Sequence, residues 1–226
     1  MKTISAGMGW HMRVREIALE RQADESRLAG VVDWEDAAHP STRIEFGVAG
    51  RHDFPSDRHW GDAFLAACLP LATFMGERRL RIETPACPML VDGLHSVHAW
   101  WTRWRRDTPP MPVIEVPAPP RTASRQAAPE ATGCLSGGVD GLHMLLHNRR
   151  LFGRSDPAFI RRALFVHGFD IGRRRRDPQE ARFRMAAGRL RKLAEATDLE
   201  LVTCRTNLRH LPIPPGLWLH RYFGAA

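Results

Sequence analysis

The chain has 226 residues, 43% of them hydrophobic and 26% charged, with 33 Lys and Arg against 25 Asp and Glu. That is enough chain for one large or two small domains with buried cores, and an ordinary composition for a globular protein. No segment approaches the roughly 20 uninterrupted apolar residues of a membrane span, and the N-terminus "MKTISAGMGWHMRVREI" lacks the apolar run of a signal peptide. The net charge of +8 comes mostly from arginine and favours polyanionic partners such as nucleotides or tRNA, or serves solubility alone. Cys68, Cys87, Cys134 and Cys204 are far apart and form no C-x-x-C pair, which reads as reduced thiols in a cytoplasmic protein without membrane association.

The first elements alternate with a period near two. "MRVREIALE" (12–20), "SRLAGVVDW" (26–34) and "TRIEFGV" (42–48) are expected strands. A helix capped by Ser56 or Asp57 follows, with Trp60, Phe64, Leu65 and Cys68 on its apolar face. Pro70 lies inside it and predicts a kink or break. "RLRIET" (79–84) is another strand, "PMLVDGLHSVHAWWTRWRR" (88–106) a second helix, and "PVIEV" (112–116) a short strand. This order, βββαβαβ, predicts an N-terminal α+β domain over residues 1–116.

Residues 117–130, "PAPPRTASRQAAPE", have the composition of an extended linker. The second unit, 131–226, alternates strand and helix. "TGCL" (132–135), "ALFVHGF" (163–169) and "LELVTCR" (199–205) are strands. Helices are expected at about 139–150 and at 177–197, the latter with Asp177 as N-cap and Pro178 at its first position. Such alternation argues for βαβ units and a parallel sheet, with ligands beyond the carboxyl ends of the strands.

Between the first strand and helix of this unit lies Ser136-Gly137-Gly138-Val139-Asp140-Gly141. Paired glycines at a strand-to-helix turn let backbone N–H groups approach phosphate oxygens, and the helix start adds partial positive charge. Ser136 can donate its hydroxyl. Asp140 would repel a phosphate unless a divalent cation lies between them, so a nucleotide here implies Mg²⁺. Neither the P-loop lysine motif nor the G-x-G-x-x-G dinucleotide fingerprint is present.

The loop resembles the S-G-G-x-D-S signature of the PP-loop ATP pyrophosphatases, the adenine nucleotide alpha hydrolase-like superfamily, which includes asparagine, GMP and NAD synthetases and tRNA-modifying enzymes. The resemblance covers about residues 131–226 and implies an α/β fold: an abbreviated Rossmann-like parallel sheet following the N-terminal α+β domain. It implies ATP and Mg²⁺ as cofactors, with Ser136, Gly137 and Gly138 around phosphate and Asp140 positioning the cation. It places the backbone of His167, Gly168 and Phe169 near adenine, and Thr206 and Asn207 at the end of the third strand beside the same site. The family's reaction adenylates a carbonyl or carboxyl oxygen, releases pyrophosphate and passes the group to a nucleophile, so the expected activity is that of a ligase. The acceptor is an unknown small molecule, peptide or tRNA.

The sequence departs from the family in two ways. Gly141 stands where the signature has serine, and the chain stops at "LHRYFGAA", where the family enters a further helix and strand. A catalytically impaired nucleotide-binding or scaffold protein is therefore the alternative reading. In the family's topology the first strand of this unit is central, so missing later strands would leave its outer edge open. The N-terminal domain, a second copy in a homo-oligomer or a partner chain is expected to cover that edge.

Other constellations compete for function. His143 and His147, like His95 and His98, share helix faces and could bind metal, or merely pack. Trp100, Trp101 and Trp104 with Arg103, Arg105 and Arg106 could stack bases and bind phosphates, making a basic RNA-binding module. Alternatively that helix buries Trp101 and Trp104 and solvates its arginines. Arg173 to Arg176 form a solvated run or recruit RNA or an acidic substrate. Cys204 is a candidate sulfur carrier.

Overall fold

The structure is a computed structural model that describes residues 11–35, 39–50, 59–118, 130–169 and 179–214. Three strands come first: β1 (His11–Arg21), β2 (Glu25–Trp34) and β3 (Thr42–Ala49). They form an antiparallel meander, with Val14 opposite Val32 and Leu28 opposite Phe46. The alternation of β1 is interrupted between Arg15 and Ala18 by a register shift, where Glu16 takes φ 53°. Such a bulge bends the strand and exchanges the residues that face inward. Inward positions accordingly pass from Met12 and Val14 to Ile17, which packs on the core.

Helix α1 (Trp60–Met75) follows, then β4 (Arg79–Ile82), α2 (Pro88–Trp104) and β5 (Val113–Glu115). β4 pairs parallel to β1, and β5 parallel to β4. The expected break at Pro70 does not occur, since α1 runs through it as one helix. Phe64, Leu65, Cys68, Leu69, Leu71 and Ala72 are all fully buried, and tertiary burial on this scale outweighs one missing backbone hydrogen bond. Gly76 ends the helix in the left-handed region (φ 77°), its N–H reaching back to the carbonyls of Ala72 and Thr73. Gly30 supplies the space for Phe64, because a Cβ there would lie 2.9 Å from the phenyl ring. The proposed caps Ser56 and Asp57 lie outside the described residues, as does most of the linker.

The second half contains β6 (Thr132–Cys134), α3 (Val139–Leu151), β7 (Arg162–His167), α4 (Gln179–Ala196) and β8 (Glu200–Thr206). β6, β7 and β8 are parallel neighbours, in the order the βαβ reading requires. Leu135, Leu145, Phe165, Phe183 and Leu190 lead its hydrophobic cluster. No helix among the described residues is long and apolar enough to cross a membrane.

The two halves share one mixed eight-stranded α/β sheet, in the order β5-β4-β1-β2-β3-β8-β7-β6. The junction is antiparallel, with Phe46 opposite Thr206 and Val48 opposite Cys204. This corrects the expected position of the first parallel strand. β6 is the outermost strand rather than a central one, and the N-terminal half covers β8 instead of β6. The physical reason lies just after β8. Leu208 and Leu211 are almost completely buried in the N-terminal core cluster, joined there by Ile213. Burying them requires β8 to lie beside β3.

Candidate functional site

Because β6, β7 and β8 run parallel, their carboxyl ends open at one end of the sheet. The glycine loop leaves β6 there. Gly137 takes φ 84°, a conformation that favours glycine, and Gly138 is the extended N-cap of α3. No side chain caps this helix, so its first backbone N–H groups are left for solvent or an anion. A Cβ on Gly138 would stand 3.5 Å from Ser136 Oγ, and one on Gly137 would stand 3.3 Å from Leu190. Side chains at these two positions would crowd the concavity.

Gly141 has a packing role in α3. A Cβ at this position would meet Leu135 Cδ1 at 3.3 Å and the Cys134 carbonyl oxygen at 3.4 Å. The missing side chain lets the first turn of the helix lie close against the strand that precedes it. Val139 and Asp140 are exposed on the same turn. Among the described residues no group of three or more His, Cys, Asp or Glu could hold a metal ion. Asp140 therefore offers a single carboxylate. That donor set suits Mg²⁺, which commonly takes one or two carboxylates and completes its shell with phosphate oxygens and water.

A groove of about 370 Å³ opens beside the loop, lined by Ser136 and Gly137 on one side and by Arg182, Met185, Ala186, Arg189 and Leu193 of α4 on the other. Its volume is within the range of small-molecule sites. Arg182 and Arg189 are exposed and have no ion-pair partner among the described residues. Neither was among the residues expected at the site. The missed signal was their spacing of seven, which places both on the α4 face that carries Met185, Ala186 and Leu193.

Beside the groove, the ends of β7 and β8 carry a compact polar cluster. Arg205 makes two 2.9 Å hydrogen bonds to the Glu180 carboxylate and lies over the Phe183 ring. The guanidinium holds the Glu180 carboxyl below its ordinary range. His167 packs edge-on against Phe183, with Nε2 3.6 Å from Glu180. Burial, reinforced by Arg205, lowers the His167 pKa, and Glu180 opposes that shift only in part. The balance of these effects favours the uncharged imidazole. Glu180 and Arg205 satisfy each other, so the unbalanced positive charge at the groove comes from Arg182 and Arg189.

The next residues hold backbone together. Gly168 has φ 115°, and a Cβ on it would run into the Thr206 carbonyl oxygen. Phe169 packs against the N-terminal core. Thr206 Oγ1 accepts a hydrogen bond from the Leu208 N–H at 3.4 Å. Asn207 accepts from the Glu45 N–H at 2.8 Å and donates to the Arg43 carbonyl at 2.9 Å. Its amide is committed to β3, and it ties the two halves together where the pairing of β8 ends.

The competing constellations resolve differently. His143 and His147 stack on an exposed helix face with ring centroids 5.7 Å apart. His98 reaches the Pro109 carbonyl at 2.9 Å, while His95 is exposed. Burial pushes the Cys204 thiol up to about 11, which leaves little thiolate for sulfur transfer. Arg173 to Arg176 lie outside the described residues. Trp101 packs on Phe74, but Trp104 is 72% exposed and Trp100 58%, so the expected burial of Trp104 is not met.

A larger cleft, of about 600 Å³, lies at the amino ends of the same strands. Four of its charged side chains pair with one another, Arg154 with Asp198 at 2.7 Å and Arg162 with Glu200 at 2.6 Å. A search of protein families, of curated proteins and of solved structures finds no match for this chain.

Proposed function

We propose that the chain binds ATP with Mg²⁺ at the carboxyl ends of β6–β8 and acts there as an adenylate-forming, pyrophosphate-releasing ligase. The observation that carries this reading is the uncapped glycine turn at the start of α3, facing across one groove Arg182 and Arg189, which have no ion-pair partner among the described residues. Backbone N–H groups and Ser136 would hold phosphate oxygens, and the two guanidinium groups would offset their charge. Asp140 would hold the cation against the phosphates. The cation would supply charge neutralisation as pyrophosphate departs. His167, kept neutral by burial, would limit the positive charge near the base while the backbone of Gly168 and Phe169 borders it.

Titration calorimetry with ATP, with and without Mg²⁺, tests the reading. Micromolar binding that needs Mg²⁺ is expected. Asp140→Ala should remove the Mg²⁺ dependence, and Arg182→Ala with Arg189→Ala should weaken binding about 100-fold. Absence of ATP binding, or equal affinity in all variants, would overturn it. Binding without pyrophosphate release for any acceptor tried would favour the impaired-relative alternative. Gly141→Ser bears on the same point, since its Cβ must displace Leu135 by a few tenths of an ångström.

A further inference from the structure

Helix α2 has two apolar sides. Leu90, Val91, Leu94 and Trp101 pack on the N-terminal core or its neighbours. Met89, Val97, Trp100 and Trp104 instead face solvent, at 82, 39, 58 and 72% exposure. With Gly93 they follow one another at intervals of three and four residues, which aligns them as a single stripe. A contiguous exposed apolar stripe of this kind marks an interaction site. Trp100 and Trp104 lie ring to ring at 5.7 Å at its C-terminal end.

We propose that this stripe docks on the same stripe of a second copy, the two α2 helices running antiparallel about a two-fold axis between Ser96 and Val97. The stripe complements itself in that arrangement. Trp100 of each copy falls opposite Gly93 of the other, where nothing lies within 4 Å of the position a Cβ would take. That opening is a notch into which an indole fits. Met89 falls opposite Trp104, a contact of thioether with aromatic ring. Val97 meets its own counterpart beside the axis.

Charge follows the same symmetry. Asp92 and Arg103 lie on one flank of the stripe, about three turns apart, and neither has an ion-pair partner among the described residues. The two-fold axis brings Asp92 of one copy beside Arg103 of the other, twice. Such an isologous contact closes at two subunits.

A single-stranded nucleic acid fits this face less well. Its N-terminal half is aliphatic and offers no ring on which to stack a base, and the Asp92 carboxylate flanks it. Arg105 is paired with Asp107 at 3.5 Å. Stacking platforms combine aromatic rings with a basic track along their length.

Sedimentation equilibrium of the full chain over roughly 1 to 100 µM tests the proposal. A monomer–dimer equilibrium is expected. Asp92→Arg and Arg103→Asp should each weaken it about tenfold, and the double variant should recover most of that loss. Gly93→Leu fills the notch and should abolish the dimer while leaving thermal unfolding of the monomer unchanged or higher, since Leu exceeds Gly in helix propensity. A monomer at every concentration overturns the proposal. So does a dimer indifferent to Gly93→Leu, or a double variant that fails to recover. A monomer that binds single-stranded RNA and loses it on Trp100→Ala would assign the face to nucleic acid instead.

Discussion

The two halves of the sheet use burial differently. In the N-terminal half α1 is almost wholly sealed: Phe64, Leu65, Cys68, Leu69 and Leu71 are fully buried, against β strands whose inward residues include Val14, Ile44, Leu80 and Ile82. Burial pushes the Cys68 thiol up to about 12, as befits a small core residue. In the C-terminal half, α3 contributes a single fully sheltered residue, Leu145, and exposes Val139, Leu146 and Leu151. Its strands end in a glycine turn, an arginine-lined groove and the His167–Glu180–Arg205 cluster. One half supplies packing and the other keeps its polar groups accessible. The shared sheet lets the first stabilise the second, because Leu208 and Leu211 of the C-terminal half are anchored in the core of the other.

Breaking the packed half should have the largest effect. Phe64→Ala removes a fully buried ring that also contacts Phe46 edge-on at 5.4 Å. A loss of about 3–5 kcal/mol is expected in denaturant unfolding. If the sheet is one cooperative unit, the fluorescence of the N-terminal tryptophans and the far-UV circular dichroism of the whole sheet change in a single transition. Two separated transitions would show that the halves fold independently.

Gly168→Ala comes next, since it forces a side chain onto a residue with φ 115° and into the Thr206 carbonyl. The expected cost is at least about 2 kcal/mol, and a circular dichroism melt close to that of the native chain would contradict it. Asn207→Ala removes the amide that bridges Glu45 and Arg43. It should cost about 1–3 kcal/mol and raise amide exchange at the β3–β8 junction ahead of the rest of the sheet. Uniform exchange would mean that the junction depends on Leu208 and Leu211 alone.

The smallest effect separates the halves by pH. Burial holds the folded pKa of His167 below its unfolded value, so above about pH 6.5 the group is neutral in both states and adds no pH dependence. As pH falls below that value the unfolded chain takes up the proton first, and stability declines until the folded pKa is reached. Glu180, whose pKa is lowered chiefly by Arg205, adds stability above the ordinary glutamate range and loses it at lower pH. His167→Gln should flatten the decline of melting temperature as pH falls below about 6.5. An unchanged slope would place the linked proton elsewhere.

Much of this architecture was legible in the chain. Period-two runs marked β1, β2 and β3 because alternate residues of a strand meet opposite faces. The glycine turn was visible for a local reason, since Gly137 and Gly138 sit between an apolar strand and a helical pattern. Pro70 misled because its local cost is fixed whereas the burial around it is not. Trp104 misled because the periodicity of α2 is apolar on two sides, and nothing local tells which side finds a partner. Arg182 and Arg189 were not expected at the site, because only the fold brings the glycine loop beside them.

The sequence by itself determined the elements, their order and the glycine turn before α3, all of which follow from side-chain period, turn chemistry and composition. Only the tertiary structure decided that both halves share one sheet, that β6 is its edge and that Asn207 belongs to the joint. Those outcomes depend on contacts between residues far apart in the chain, such as Glu45 with Asn207 and Leu208 with the N-terminal core, and no local pattern encodes which distant surface a strand edge will meet.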